Sequence, residues 1–153
     1  MTLSTHTTIG AIIGLAIGNP VLGFIAGFVS HLLLDTIPHG DTTISKNLRV
    51  YKRKKAAFTY GTIDGIAAIY LVLILSQIPN KASELSFTLA IIGSVLPDLL
   101  VGLYDITKSK FLKPINDLHF YFHNFFTNRY KDIKLTSALL LQILFIAIII
   151  NQI

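Results

Sequence analysis

Four apolar runs separated by short polar stretches organise the chain: Ile9 to Leu34, broken at Asn19-Pro20; Ala56 to Ile78, broken at Asp64; Leu85 to Leu103, broken at Pro97-Asp98; and Leu135 to Ile150, with nothing charged in it. A membrane span takes ~20 apolar residues at ~1.5 Å of rise each, so the last three runs read as transmembrane helices. The first run is different. As a single helix it is too long for a bilayer, whereas split at Asn19-Pro20, a dipeptide that favours a turn, it gives two helices of roughly 18 and 24 Å. The expectation is an N-terminal helical hairpin that need not cross the bilayer fully, with one kinked span as the alternative. The aromatic run "FYFHNFF", Phe120 to Phe126, reads as an amphipathic segment lying at the membrane interface. The expected fold class is therefore all-α. It is an integral membrane helical bundle with an N-terminal helical hairpin, three further transmembrane helices and an interfacial amphipathic segment, forming a single domain over residues 1–153. The N-terminus carries no basic stretch and no small-residue cleavage site, so a removable signal peptide is not expected.

Composition strengthens the membrane reading. Hydrophobic residues make up 52% of the chain, charged ones 14%, and the mean hydropathy is +0.64, beyond what a soluble domain carries. Cysteine is absent, which excludes disulfides, a thiolate zinc site and a cysteine nucleophile. Any metal must be held by imidazole and carboxylate. Of thirteen Lys and Arg, six lie between Ile44 and Lys55, only Lys81 lies in the next loop, and six lie from Lys108 to Lys134. The positive-inside rule then puts the first and third of these segments in the cytoplasm, consistent with an inner membrane, and the Lys81 loop outside. The basic cluster "YKRKK" serves as a topology signal touching anionic headgroups. Membrane lipid is the expected partner, and the charge needs no nucleic acid to explain it.

With that orientation the ionisable residues gather on one level. Asp64 lies eight residues beyond Ala56 and Asp98 about seven before Asp105, so each sits ~10 to 12 Å deep from the cytoplasmic side. His31, Asp35 and His39 end the hairpin on that side, His6 begins it there, and His119 and His123 precede the last helix. An aspartate within a transmembrane helix costs ~2.5 to 3.5 kcal/mol on insertion scales, so it normally faces a partner or a wet cavity. Small residues supply a means of approach. His6, Gly10, Gly14 and Gly18 are spaced by four, as are Gly23, Gly27, His31 and Asp35. Stripes of that kind let membrane helices come close. Folding at Asn19-Pro20 is expected to pair Gly18 with Gly23, Gly14 with Gly27, and His6 with Asp35.

The pairs His31/Asp35 and His119/His123, each at i and i+4, project from one helical face and can reach one ion. A single HxxxD is also the pattern of a hydrogen-bonded pair. Two such pairs beside Asp64, Asp98 and His6 favour a divalent metal, with His39 either a further ligand or a loop residue. Imidazole and carboxylate together suit Zn²⁺, Mn²⁺ or Fe²⁺ rather than Ca²⁺. The candidate ligands are thus His6, His31, Asp35, His39, Asp64, Asp98, His119 and His123. Asp64 or Asp98, whichever is not a ligand, is the candidate catalytic base.

The segment "GFVSHLLLDTIPHG" resembles the SHxxxD segment of the YdjM-like inner-membrane metal-dependent hydrolase family, and "GSVLPDLL", Gly93 to Leu100, resembles its LPD segment. His6 matches an N-terminal histidine of that family and "HFYFH" a later histidine-containing segment. Two departures stand out: the SHxxxD segment comes early here, and LPD is followed by Leu-Leu rather than a further Asp and His. The wider pattern of HxxxD, a close following His and a later HxxxH is similar to zinc-dependent phospholipase C. That resemblance implies two or three zinc ions cleaving phosphoesters. Together these readings predict a membrane-bound metal-dependent hydrolase carrying one to three ions, acting on a phosphoester in a lipid or lipid-linked substrate at the cytoplasmic leaflet. The alternatives are a metal or proton transporter and a non-enzymatic metal-binding scaffold. Against conduction, Thr7 to Ser30, Gly65 to Asn80 and Ser86 to Pro97 contain no Asp, Glu, Lys, Arg or His, so the outer half looks sealed.

Overall fold

The computed structural model describes residues 1–40, 54–79 and 83–152, and among them it is all-helical. Its helices are α1 (Leu3–Ala16), α2 (Pro20–Asp35), α3 (Lys54–Leu75), α4 (Glu84–Thr107), α5 (Lys113–His123) and α6 (Leu135–Ile150). Asp41, Lys46, Arg49, Lys52, Arg53 and Lys81 lie outside the described residues.

The break in the first apolar run is built from its own residues. Ile17 leaves α1 in an extended conformation, and Asn19, also extended, accepts the N–H groups of Val21 and Leu22 at 3.0 and 3.1 Å through its side chain. Pro20 follows at the first helical turn, where a missing N–H costs nothing. Two helices joined by a turn result, not one kinked span.

The packing partner of that hairpin is α4. Its buried residues Ser86, Ala90, Gly93, Ser94 and Pro97 form a stripe of small side chains. Against it lie Gly10 and Gly14 of α1 and Gly23 and Gly27 of α2. The expected pairing of the two hairpin stripes with each other is therefore corrected: Gly14 meets Phe87, Gly27 meets Ala90, and Gly18 has nothing within 4 Å. Backbone-to-backbone approach needs glycine on one side and a small residue on the other, and α4 supplies the second. The Ser86 hydroxyl ties the turn down by donating to the carbonyl of Ile17.

The other end of α1 is held by polar contacts. Thr2 caps it through its side chain, and the Gln142 carbonyl oxygen on α6 accepts from Thr2 N, Thr2 Oγ1 and Thr5 Oγ1 at 3.0, 3.0 and 3.1 Å. Where the chain turns from α2 toward α5 and α6, Gly40 adopts φ +78°, a left-handed backbone, with the Leu135 backbone directly against its Cα.

Among the described residues two helices are long and apolar enough to cross a membrane: α3, through Phe58–Leu75, and α4, through Glu84–Thr107. The third span expected from the sequence, α6, is apolar but only 16 residues long, as is α2, and α1 has 14. A 16-residue helix rises about 24 Å, short of a ~30 Å hydrocarbon core. Large apolar side chains face outward over much of the surface, including Ile63, Ile66, Ile69 and Tyr70 on α3, each more than 60% exposed.

Candidate metal centre

Three helices deliver one donor set. α2 ends with His31 and Asp35 one turn apart, α4 brings Asp98 just after Pro97, and α5 presents His119. One ligand atom from each of His31, Asp35, Asp98 and His119 lies within 4.8 Å of all the others, so this group can hold a metal ion. His31 Nε2 is 3.3 Å from Asp35 Oδ2 and 3.5 Å from Asp98 Oδ1, and His119 Nε2 is 3.8 Å from each of those oxygens. His31, Asp35 and His119 are buried, whereas the Asp98 side chain is 40% exposed. The group therefore opens to its surroundings beside Asp98.

Protonation at His31 follows from its hydrogen bond. Its Nδ1 is 2.7 Å from the Ser94 carbonyl oxygen, which only accepts, so the ring donates from Nδ1. The other ring nitrogen, Nε2, is buried, makes no hydrogen bond, and lies against two carboxylates. Buried polar atoms are rarely left so, because an unmade hydrogen bond costs ~1 to 3 kcal/mol. A shared cation resolves the arrangement, and an imidazole whose other nitrogen donates to a carbonyl is the usual form of a metal ligand. Pro97 lies in the same turn and, lacking an N–H, leaves the Gly93 carbonyl without its helical partner. Burial, working against the pull of Asp35 and Asp98, holds the His119 imidazole below its usual range and so keeps it neutral, with a lone pair to offer.

His6 adjoins the group. Its Nε2 is 3.1 Å from Asp35 Oδ1, and its ring stacks on His31 with centroids 3.9 Å apart. The hairpin thus brings its two polar ends together. The Met1 ammonium lies 2.6 Å from the same Asp35 oxygen. On the other flank His39 and His123 face each other, with Nε2 atoms 3.2 Å apart, while His39 Nδ1 donates to the Ile37 carbonyl at 2.7 Å. His123 also lies beside His119, ring centroids 5.6 Å apart. All five histidines therefore form a contiguous chain of rings: His6, His31, His119, His123, His39.

Asp64 is placed elsewhere. Its two oxygens accept the N–H groups of Leu3 and Ser4 at 2.6 and 3.1 Å. Helix N-termini carry unpaired donors and partial positive charge, and a carboxylate satisfies both. Equal depth did not imply a shared face, because α3 packs on α1 and meets its start rather than the end of α2. Sequence reasoning also missed the Ser94 carbonyl and the anchoring role of Gln142. The first had a signal: Ser86, Ala90 and Ser94 recur every fourth residue, marking the close-packed face of α4.

Comparison with protein-family models, curated proteins and solved structures finds no match to this chain.

Proposed function

We propose that the chain is an integral membrane metal-dependent hydrolase of the YdjM-like kind, cleaving a phosphoester in a lipid or lipid-linked substrate at the cytoplasmic leaflet of the inner membrane. The observation that carries this reading is the buried Nε2 of His31, oriented by Ser94 and aimed without a hydrogen bond at two carboxylates. His31, Asp35 and His119 would hold the ion beside Asp98, and the imidazole and carboxylate donors suit Zn²⁺, Mn²⁺ or Fe²⁺. Such an ion supplies Lewis acidity to a phosphoryl oxygen and to water. Asp98, half-exposed where its companions are buried, is the carboxylate placed to take a proton from an attacking water.

Membrane placement rests on two spans of sufficient length and on the outward-facing apolar side chains. Charge supports the cytoplasmic side: six Lys and Arg lie between Lys108 and Lys134, flanking the helix that carries His119. In that orientation the donor group would sit at headgroup depth, within reach of a lipid phosphate.

The test is metal analysis of purified protein after incubation with Zn²⁺ or Mn²⁺, alongside His31→Ala and Asp35→Ala, followed by assay on a panel of phospholipids and lipid phosphates. Bound metal in the wild type, lost in both variants, with metal-dependent release of product is the expected result. A wild type that retains no metal would overturn the site, and a metal-loaded protein inert across the panel would overturn the reaction.

A further inference from the structure

His6, a candidate ligand by sequence, stands outside the group of His31, Asp35, Asp98 and His119. Its ring is fully buried and meets Asp35 instead, with Nε2 3.1 Å from Oδ1. That oxygen already accepts from the Met1 ammonium at 2.6 Å, so it accepts from His6 as well and the His6 ring is the donor. The other oxygen, Oδ2, is the one that lies 3.3 Å from His31 Nε2 and 3.8 Å from His119 Nε2. The Asp35 carboxylate is thus divided: Oδ1 faces hydrogen-bond donors, and Oδ2 faces the atoms that can share an ion.

Resting on the metal-centre part of the proposed function and not on the reaction, we infer that His6 is a positioning residue: by donating to Oδ1 it confines Asp35 to one ligand oxygen, Oδ2, and so keeps a coordination position of the ion free. A carboxylate binds a cation through one oxygen or through both. Bound through both, Asp35 would fill with His31 and His119 the four positions of a closed zinc site; bound through one, it leaves the open position that catalytic zinc sites keep for water or substrate. The Met1 ammonium does not impose this by itself, because its three donors turn freely about one bond and follow the oxygen as the carboxylate rotates. The His6 ring cannot follow. It stacks on His31 with centroids 3.9 Å and planes 21° apart, and its Nδ1 is buried without a hydrogen bond among the described residues. A ring buried at that cost, with Asp35 as its one side-chain hydrogen bond, holds the carboxylate in a single rotation. Hydrogen-bonded partners of this kind are what orient ligating carboxylates.

Two measurements on the full chain in detergent test the assignment, and neither needs a substrate. The first titrates Zn²⁺ and Mn²⁺ separately into wild type, His6→Leu and His6→Gln. His6→Leu removes the donor, whereas His6→Gln keeps an amide N–H within reach of Oδ1. Mn²⁺ favours oxygen ligands more than Zn²⁺ does, so a carboxylate released to give both oxygens favours Mn²⁺. In His6→Leu the Zn²⁺ affinity falls ~10 to 100-fold while the Mn²⁺ affinity holds or rises, and His6→Gln restores the wild-type ratio. The second adds azide to the Co²⁺-loaded proteins. Azide taking the free position changes the visible spectrum of the wild type and of His6→Gln, and that change is lost in His6→Leu. Identical metal ratios and azide responses in all three proteins overturn the positioning role. So does equal loss of both metals in His6→Leu and His6→Gln, which would make His6 a ligand or a packing residue. A wild type that binds neither Zn²⁺ nor Mn²⁺ brings down the metal centre, and this assignment with it. Unfolding in the presence of chelator checks that each variant folds, and His6→Asn, whose shorter amide does not reach Oδ1, replaces His6→Leu if the latter does not.

Discussion

Gly27 joins the packing of the bundle to the chemistry of its end, and Gly27→Ala should damage both. A Cβ there would lie 3.0 Å from the Ala90 carbonyl carbon and 3.1 Å from Ser94 N, with the Ala90 oxygen nearer still. The obstructing atoms are backbone and cannot rotate aside. Relieving the carbonyl carbon alone, from 3.0 Å to 3.4 Å, takes about 0.4 Å, and the nearer Ala90 oxygen makes the movement of α2 off α4 larger than that. One turn further along α2, His31 Nδ1 donates to the Ser94 carbonyl at 2.7 Å, and the same retreat takes that bond toward the ~3.2 Å limit of a good N–H···O contact. Overpacking of this kind costs ~1 to 3 kcal/mol. Loosening the partner that orients a metal-binding histidine lowers metal affinity by ~10 to 100-fold. Gly65→Ala is the control, since nothing lies within 4 Å of that position. It should be neutral or gain up to ~1 kcal/mol from helix propensity alone. The assay is denaturation in detergent with and without added Zn²⁺, together with a metal titration. If Gly27→Ala is as stable as Gly65→Ala and binds metal equally well, the proposed coupling between the α2–α4 contact and the donor group is wrong.

Asp64→Ala should destabilise the start of α1 by about 1 kcal/mol through loss of its cap, while metal content stays at the wild-type level; metal lost in this variant would return Asp64 to the ligand set. Gln142→Ala removes the one oxygen that accepts from Thr2 N, Thr2 Oγ1 and Thr5 Oγ1, so an unfolding measurement should show a loss of ~1 to 3 kcal/mol, more than for Leu140→Ala on the exposed face of the same helix. Gly40→Ala meets both a left-handed backbone and the Leu135 backbone, and its stability should fall by ~1 to 3 kcal/mol in the same unfolding measurement. A Gly40→Ala protein as stable as wild type would show that the turn has another conformation available.

What the sequence made legible was mostly one-dimensional. Apolar runs, the Asn19-Pro20 break and the one-turn spacing of His31 and Asp35 all act through neighbours along the chain, and folding the hairpin at its turn brings His6 onto Asp35. Direction around a helix was harder to read. Asp64 and Asp98 sit at similar depth, yet one meets the N–H groups of Leu3 and Ser4 while the other meets His31, because α3 and α4 pack against different parts of the hairpin. The glycine stripes pose the same difficulty: a stripe announces a close approach without naming the partner. Here the partner was declared by Ser86, Ala90 and Ser94, small residues spaced by four along α4. The length of α6 was visible in the 16 residues from Leu135 to Ile150, but the absence of charge among them made the run resemble a full span.

The construction of the donor group also explains why its polar residues are tolerated beside so apolar a bundle. The polar groups gathered where α1 begins and α2 ends meet partners: His6 and the Met1 ammonium meet Asp35, and His31 meets the Ser94 carbonyl. What these contacts leave over is Nε2 of His31, Oδ2 of Asp35 and the Asp98 carboxylate, with a neutral His119 beside them. Removing a single anion from such a set is more damaging than the contact distances alone suggest, because the remaining groups stay buried without their counterpart. Asp35→Asn keeps the shape and two of the hydrogen-bonding positions but removes the charge. If the group is only structural, Asp35→Asn should destabilise the protein by ~3 to 5 kcal/mol, equally with Zn²⁺ and with chelator, because the Met1 ammonium and its neighbours lose their counter-charge. If it exists to hold a cation, Asp35→Asn should in addition abolish metal binding and the stabilisation that Zn²⁺ gives the wild type. Calorimetric unfolding of wild type and Asp35→Asn, each with Zn²⁺ and with chelator, separates the two: a wild-type protein whose unfolding temperature is indifferent to Zn²⁺ would leave the group as structure alone.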